Sequence, residues 1–210
     1  PNEELTAARP FMTTPIYDRQ KAAGAQFGAA AGLEVPLWFA PEGVTDEFSW
    51  RRSTDFDHVA AECAAVRGSV GLGDISGFAK YSITGPGARD WLDRMPAANI
   101  PPKGRVTLAP MLKDDGKVIG DFSLATLDDD RFLIIGSGAT ESYHMRWFLA
   151  HRPDDGSVNI TSYNMGLVGL TLAGPQARQV LQACTDEDVS HAAFKFMAVR
   201  EMDVGMVPAI

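Results

Sequence analysis

The sequence predicts an α+β protein with antiparallel sheets and helices in two interleaved lobes, and three observations carry that prediction. Short apolar runs suited to strands recur at Phe78–Thr84, Arg105–Leu112, Val118–Thr126 and Arg131–Ile135. Asp114-Asp115-Gly116 stands as a tight turn between the second and third of them, so antiparallel pairing is the natural connection. Finally, Ser82-Ile-Thr-Gly-Pro-Gly-Ala-Arg-Asp-Trp-Leu92 recurs as Thr171-Leu-Ala-Gly-Pro-Gln-Ala-Arg-Gln-Val-Leu181, 89 residues further on. That interval far exceeds the roughly 20–50 residues of a stacked repeat, so two lobes are expected, each with a strand-turn-helix element.

Each element has a local reason. Pro1–Pro15 reads as irregular and polar, and Ile16–Gly28 as a helix with Ile16, Ala23 and Phe27 on one face. Two prolines in Val35-Pro-Leu-Trp-Phe-Ala-Pro-Glu-Gly43 predict a loop whose aromatics pack onto the body. Asp55 suits the N-cap of a helix running to Arg67, with His58, Val59, Cys63 and Val66 as its stripe. After the four strands come a helix at Thr140–His151, strands near Val158–Tyr163 and Leu167–Ala173, a helix at Gln176–Cys184 and a strand at Phe196–Val204. In both repeat copies the strand ends at Gly-Pro: glycine permits the turn, and proline is expected at the first helical position, where its missing N–H costs nothing. Arg89 and Arg178 read as solvated or pairing residues on those helices.

Composition narrows the function classes. The 210 residues, 45% of them hydrophobic, can bury a real core. A formal charge of −8, from 27 acidic and 19 basic residues, argues against nucleic acid or an anionic membrane surface as a main partner. Cys63 and Cys184 show no C-x-x-C spacing, so neither zinc nor a disulfide framework is expected, and a reducing cytoplasm fits best. No apolar run approaches the roughly 18 residues of a membrane span, and no secretory pattern opens the chain.

One residue stands out for chemistry. Asp121 falls inside the apolar run Val118–Ala125, where strand interiors disfavour a carboxylate. Strict alternation places Val118, Gly120, Phe122 and Leu124 on one face, and Ile119, Asp121, Ser123 and Ala125 on the other. Such a carboxylate is either paired with a structural donor or presented to a ligand, and neither i±2 neighbour is basic. Competing motifs are weaker. Arg131-Phe-Leu-Ile-Ile-Gly-Ser-Gly-Ala-Thr-Glu141 approaches a dinucleotide fingerprint but has Glu141 at the third glycine. His58, His144, His151 and His191 are scattered and expected at the surface, so no metal site is predicted. No Gly-x-Ser-x-Gly elbow or activated cysteine supports nucleophilic catalysis.

Several ordered segments then resemble a known module: Tyr17-Asp-Arg-Gln20, Pro36-Leu-Trp-Phe-Ala-Pro-Glu-Gly43, Ser49-Trp-Arg-Arg52, Gly71-Leu-Gly-Asp-Ile-Ser-Gly-Phe-Ala-Lys-Tyr81, Thr84-Gly-Pro-Gly87, and Pro110-Met-Leu112 through Gly120-Asp121. From about Thr14 onward the chain resembles the tetrahydrofolate-binding aminomethyltransferase family, typified by the glycine cleavage T-protein. It is most similar to the folate-binding C-terminal half of dimethylglycine and sarcosine dehydrogenases.

The resemblance implies an enzyme that forms 5,10-methylenetetrahydrofolate, as the acceptor module of an amine-demethylating system. Asp121 falls where the family places an aspartate beside the reduced pterin. There it is expected to orient the folate and assist proton movement while N5 captures an iminium or aminomethyl carbon. Phe78 falls where a large apolar side chain lies against the folate; a core phenylalanine is the alternative. Leu108 stands where many relatives have Tyr, and so lacks that hydroxyl contact. Ser137 lies where T-proteins often carry a cofactor-binding Asn, with an ordinary turn serine as the alternative. The implied cofactor is tetrahydrofolate, with FAD only on a missing domain or partner, which makes a flavoprotein dehydrogenase and an amine-derived one-carbon donor the expected partners. Residues 1–77 and 158–210 are expected to form the first lobe, with 78–157 as an inserted antiparallel α+β lobe. Since the family continues past Ile210 into another strand and a further domain, the chain is expected to be truncated. Two functional alternatives stay open: a folate-dependent methyltransferase or demethylase, and a non-catalytic folate-binding module.

Overall fold

The structure, a computed structural model, describes residues 6–47 and 49–210. Two compact units divide the chain: Pro1–Gly77 with Val168–Ala177, and Phe78–Leu167 with Arg178–Ile210. Residues 158–167 and 178–210, grouped with the opening segment in the sequence reading, thus fall within the second unit. Helices and antiparallel sheets make up both units, as the α+β prediction requires. Among the described residues, no helix is long and apolar enough to cross a membrane.

In the first unit, helix α1 (Tyr17–Ala22) stops well short of Gly28, and strands β1 (Ala25–Ala30) and β2 (Leu33–Phe39) follow. The helical reading of 16–28 and the loop reading of 35–43 are both corrected by one hairpin. Ala31 and Gly32 both have positive φ, 51° and 86°, and so close a two-residue turn that pairs Ala30 with Leu33. Ala-Gly is not the usual signature of that turn, and Pro36 is tolerated because β2 belongs to a two-stranded sheet with a free edge. Within the hairpin, Trp38 is buried and Phe27 packs on Tyr17 with ring centroids 4.5 Å apart. Helix α2 (Phe56–Gly68) starts after Asp55, whose side chain makes no capping bond, and no residue of the helix is buried. The expected stripe therefore seals no core; His58 instead stacks on Trp38 at 5.3 Å. Strand β3 (Gly71–Asp74), unrecognised in the sequence, pairs antiparallel with Leu170–Ala173.

One buried ion pair anchors this hairpin. Glu34 is 3% exposed, and Arg9 grips it through Nε at 2.8 Å and Nη2 at 2.6 Å while also donating to the Phe27 carbonyl at 2.9 Å. The hydrogen bond from Arg9 holds the Glu34 carboxyl below the usual range; burial opposes it and the Arg9 charge adds to it.

The second unit opens with β4 (Ala79–Thr84), the turn at Gly85-Pro86, and α3 (Ala88–Leu92). Strands β5 (Arg105–Leu108), β6 (Met111–Leu112), β7 (Val118–Gly120), β8 (Ser123–Asp128) and β9 (Arg131–Gly136) follow, then α4 (Glu141–His151) and β10 (Asn159–Ser162). The chain then returns to the first unit with β11 (Leu170–Ala173), the partner of β3, and α5 (Ala177–Gln182) leads back into the second, where β12 (Met202–Val204) and β13 (Val207–Ala209) follow. The segment 196–204 is thus strand only from Met202, and it turns back into a hairpin that the sequence did not announce. A five-stranded antiparallel sheet in the order β10-β4-β9-β8-β5 forms the frame. Both neighbours of β9 run antiparallel to it, which excludes the dinucleotide-fold reading of Arg131–Glu141.

Alternation fills the core below that sheet. Ala79, Tyr81 and Ile83 of β4 and Phe132 and Ile134 of β9 cluster with Trp91 and Leu92 of α3 and Phe148 of α4. Phe148 meets Tyr81 edge-on at 5.0 Å and Trp91 at 6.1 Å. The two repeat copies use the same backbone solution: Gly85 and Gly174 have φ of 115° and 114°. A Cβ would sit 2.4 Å from the Ser157 carbonyl oxygen at the first and 2.5 Å from that of Ser69 at the second, so only glycine fits. Pro86 and Pro175 lie in the turn, two residues before each helix, rather than at its first position.

Replacing Arg9 by Ala leaves the Glu34 carboxylate buried without its cation, so the first unit should lose on the order of 3 kcal/mol in urea unfolding at pH 7. Because folding lowers the Glu34 pKa, its contribution is present above the ordinary glutamate value of about 4.3 and disappears as pH falls through the lowered value. The acid limb of the stability profile should therefore flatten in Glu34→Gln.

Candidate functional site

The site forms where two ladders break. The predicted strand Arg105–Leu112 is interrupted at Ala109-Pro110, and Val118–Thr126 at Asp121-Phe122. Asp121 therefore does not lie inside a strand, and the strict alternation through it is corrected: Ile119, Phe122, Leu124 and Ala125 are all buried, while Val118 is 63% exposed. The break lets Phe122 turn inward and Asp121 outward. The Ala109 N–H donates to the Phe122 carbonyl at 2.7 Å and clamps the two interruptions together.

Register gathers the expected site residues at one end of the sheet. Ala79 faces Gly136, so Phe78 precedes and Ser137 follows the same rung. Ser123 pairs with Ile135 on one side and Leu108 on the other, which puts Leu108 and the Asp121 break at the neighbouring rungs. Four adjacent strand ends span about 14 Å at ordinary strand spacing. Phe78 is 50% exposed and Leu108 64%, so Phe78 is not the core residue that was its alternative. Asp121 and Ser137 are exposed as well, and Asp121 makes no hydrogen bond or ion pair among the described residues. Ser137 leads into a short 3-10 turn, Gly138–Thr140, and its carbonyl accepts from the Thr140 hydroxyl at 3.2 Å; its own side chain makes no capping bond. This rim combines two apolar surfaces with a free carboxylate and a free hydroxyl, a composition suited to a flat, hydrogen-bonding ring.

Beneath it lies a residue the sequence reading misplaced. His144 is 2% exposed rather than at the surface, and its ring meets Phe122 at 4.7 Å. Nε2 stands 3.1 Å from the Thr140 hydroxyl and Nδ1 3.5 Å from Tyr81 Oη. Burial pushes the imidazole pKa below its ordinary value, against a hydrogen bond to the Ile119 carbonyl that raises it. Burial also raises the Tyr81 phenol, with the Glu141 carboxylate adding to the effect, and Glu141 in turn accepts from Ser162 Oγ. The spacing of His144 and Phe148, one turn apart on α4, was the available signal that both face the core. His151 is exposed and hydrogen-bonded to the Trp147 carbonyl at 2.8 Å, so it forms no pair with His144. His58 lies on α2 against Trp38. Among the described residues, no group of three or more His, Cys, Asp or Glu could hold a metal ion.

Residues 16–210 match the model of the GCVT N-terminal domain. The chain belongs to that family. As a GCVT domain, it is 32% identical over 212 residues to human mitochondrial dimethylglycine dehydrogenase, covering 99% of this chain and 24% of the relative. The alpha subunit of sarcosine oxidase from Rhizobium meliloti (strain 1021) is 30% identical over 201 residues, 93% of this chain and 20% of that one. The fold matches the crystal structure of glycine cleavage system aminomethyltransferase T from Bartonella henselae with a TM-score of 0.74 at 23% identity, over 92% of this chain and 48% of that one. These relatives are enzymes, and this GCVT domain spans about a quarter or less of the length of the two curated ones.

Folding lowers the His144 pKa, so the stability this residue contributes is complete above about pH 6.5 and drains away as pH falls through the lowered value. Urea midpoints measured at pH 7.5 and pH 5 should therefore diverge in the wild type and draw together in His144→Gln.

Proposed function

We propose that this GCVT domain presents one wall of a tetrahydrofolate-dependent one-carbon transfer site and serves as the acceptor module of an amine-demethylating system. The observation that supports it best is the shared sheet end, where register alone gathers Phe78, Leu108, Asp121 and Ser137 with exposed side chains. The rim fits a pterin in its chemistry, offering flat apolar surface beside an acceptor for ring N–H groups. When bound, tetrahydrofolate supplies a nucleophilic nitrogen that takes up the one-carbon unit and yields 5,10-methylenetetrahydrofolate. Phe78 stacks on the ring, and Leu108 excludes water without the polar contact a tyrosine would add. The Asp121 carboxylate accepts a ring N–H and takes up the proton released at the folate amine. Ser137 donates its hydroxyl to a ring oxygen or nitrogen. The oxidation that generates the one-carbon donor lies outside this chain, on an FAD-bearing region or a separate flavoprotein. Both curated relatives are named as a dehydrogenase or an oxidase subunit, and each extends far beyond the region this domain matches.

Because Asp121 bonds to nothing else in the described chain, Asp121→Asn should fold and melt like the wild type while turnover to 5,10-methylenetetrahydrofolate drops by about a hundredfold or more. Phe78→Ala should raise the tetrahydrofolate Kd by about tenfold in fluorescence titration. Unchanged turnover in the Asn variant, or no binding by the intact wild type, overturns the reading, and 5-methyltetrahydrofolate as product would assign methyl transfer instead.

A further inference from the structure

Two separate loops carry the polar residues of the rim. Asp121 sits in the break between β7 and β8, and Ser137 at the turn between β9 and α4. Sheet hydrogen bonds fix the strands on either side, but neither loop is part of a ladder. Something else must set their spacing. The imidazole of His144, which no part of the proposed chemistry uses, reaches both.

On one side, the ring packs against the end of β7, just ahead of Asp121. It also meets the Phe122 ring edge-on at 4.7 Å and an interplanar angle of 68°. The fit is close enough that a Cβ on Gly120 would lie 2.7 Å from His144 Nε2. On the other side, Nε2 stands 3.1 Å from the Thr140 hydroxyl. That hydroxyl donates to the Ser137 carbonyl at 3.2 Å. A continuous path thus runs from the Asp121 loop, by packing, to His144 and from there, by hydrogen bonds, through Thr140 to Ser137. The other groups facing the ring are Tyr81 of β4, 3.5 Å from Nδ1, and Tyr143 and Phe148 of its own helix. The nearby carboxylate, Glu141, is bonded to Ser162.

We propose that His144 is a positioning residue, whose imidazole ties the loop of Asp121 to the turn of Ser137 so that both side chains are held at one spacing on the rim. Its consequence for ligand binding rests on the folate reading above; its mechanical role does not. An apolar side chain of similar volume could fill the space. It would leave the Thr140 hydroxyl without its ring partner and lose the flat imidazole fitted against Gly120 and Phe122, and the two loops would then move independently.

Amide hydrogen exchange on the intact chain, without ligand, reads this directly. His144→Leu should speed exchange at 119–122 and 137–140 by about tenfold while β4 and β9 keep their protection. His144→Gln, which retains a donor near the Nε2 position, should restore slow exchange in both loops. Thr140→Ala, an exposed site that cuts only the second arm, should loosen 137–140 and leave 119–122 protected. A tetrahydrofolate titration of the same variants should show a Kd raised several-fold in His144→Leu and recovered in His144→Gln. Unchanged exchange at both loops in His144→Leu, uniform loosening of the whole sheet, or no rescue by Gln would each overturn the proposal. If His144→Leu does not fold, unaltered exchange at 137–140 in Thr140→Ala overturns it. A wild type that binds no tetrahydrofolate yet shows the expected exchange pattern sinks the functional reading and leaves the positioning role standing.

Discussion

The burial of Phe122 is the constraint on which the second unit's rim depends. Its ring lies between Gly120 and Gly136, where a Cβ at either position would come within 2.6 Å of a ring carbon, and its remaining edge is closed by His144. Placing a phenylalanine in such a slot contributes about 2–3 kcal/mol of transfer free energy, more than the one or two ladder hydrogen bonds that an unbroken strand would add. The strand therefore breaks, and the break turns the preceding side chain outward. An exposed Asp121 is thus the geometric consequence of a buried Phe122, and the carboxylate is presented without strain.

The same economy appears at the paired Gly-Pro turns. Each must carry the chain from the end of a strand into a helix while passing against another segment's backbone, Ser157 in one copy and Ser69 in the other. Matching φ values of 115° and 114° show that two distant stretches reached one solution, and the approach of 2.4–2.5 Å explains why neither tolerates a side chain. The arginines that share the repeat have diverged in use. Arg89 lies over the Phe132 ring at 5.3 Å, whereas Arg178 donates to the carbonyls of Val189 and Phe194. Shared sequence in the repeat encodes the turn, and the helix surface is free to serve its own surroundings.

Much of this was legible in the sequence, and the misses have physical causes. The β4, β9 and β10 strands and α4 were legible because each is a short apolar run or stripe whose large side chains enter the core. The β1–β2 hairpin was hidden because its turn is Ala-Gly and its second strand contains Pro36, both of which argue locally for something else and are overruled by pairing. The stripe on α2 misled in the opposite sense: the period is there, but no α2 side chain is fully buried. For the site, the position of Asp121 was readable and its setting was not. Alternation assumes an unbroken ladder, and nothing in the local sequence says that Phe122 will win over the pairing. His144 was missed for the related reason that a lone histidine carries no sign of burial; only its one-turn offset from Phe148 hints at it.

A solvated carboxylate at the rim also limits what can lie over it. In the free protein Asp121 is exposed, so its charge is hydrated and its presence costs little. A flat molecule resting on Phe78 and Leu108 would strip away part of that water, and covering an ionised carboxylate without replacing its hydrogen bonds costs several kcal/mol. Stacking on one phenylalanine returns about 0.5–1.5 kcal/mol, which is too little to compensate. An entirely apolar ring is therefore disfavoured, whereas a ring bearing N–H donors along one edge recovers the lost hydration as charge-assisted hydrogen bonds. On the proposed folate reading, selectivity for a nitrogen-rich heterocycle would then follow from where the strand breaks, because the same interruption that buries Phe122 turns out a carboxylate that penalises a ligand without donors.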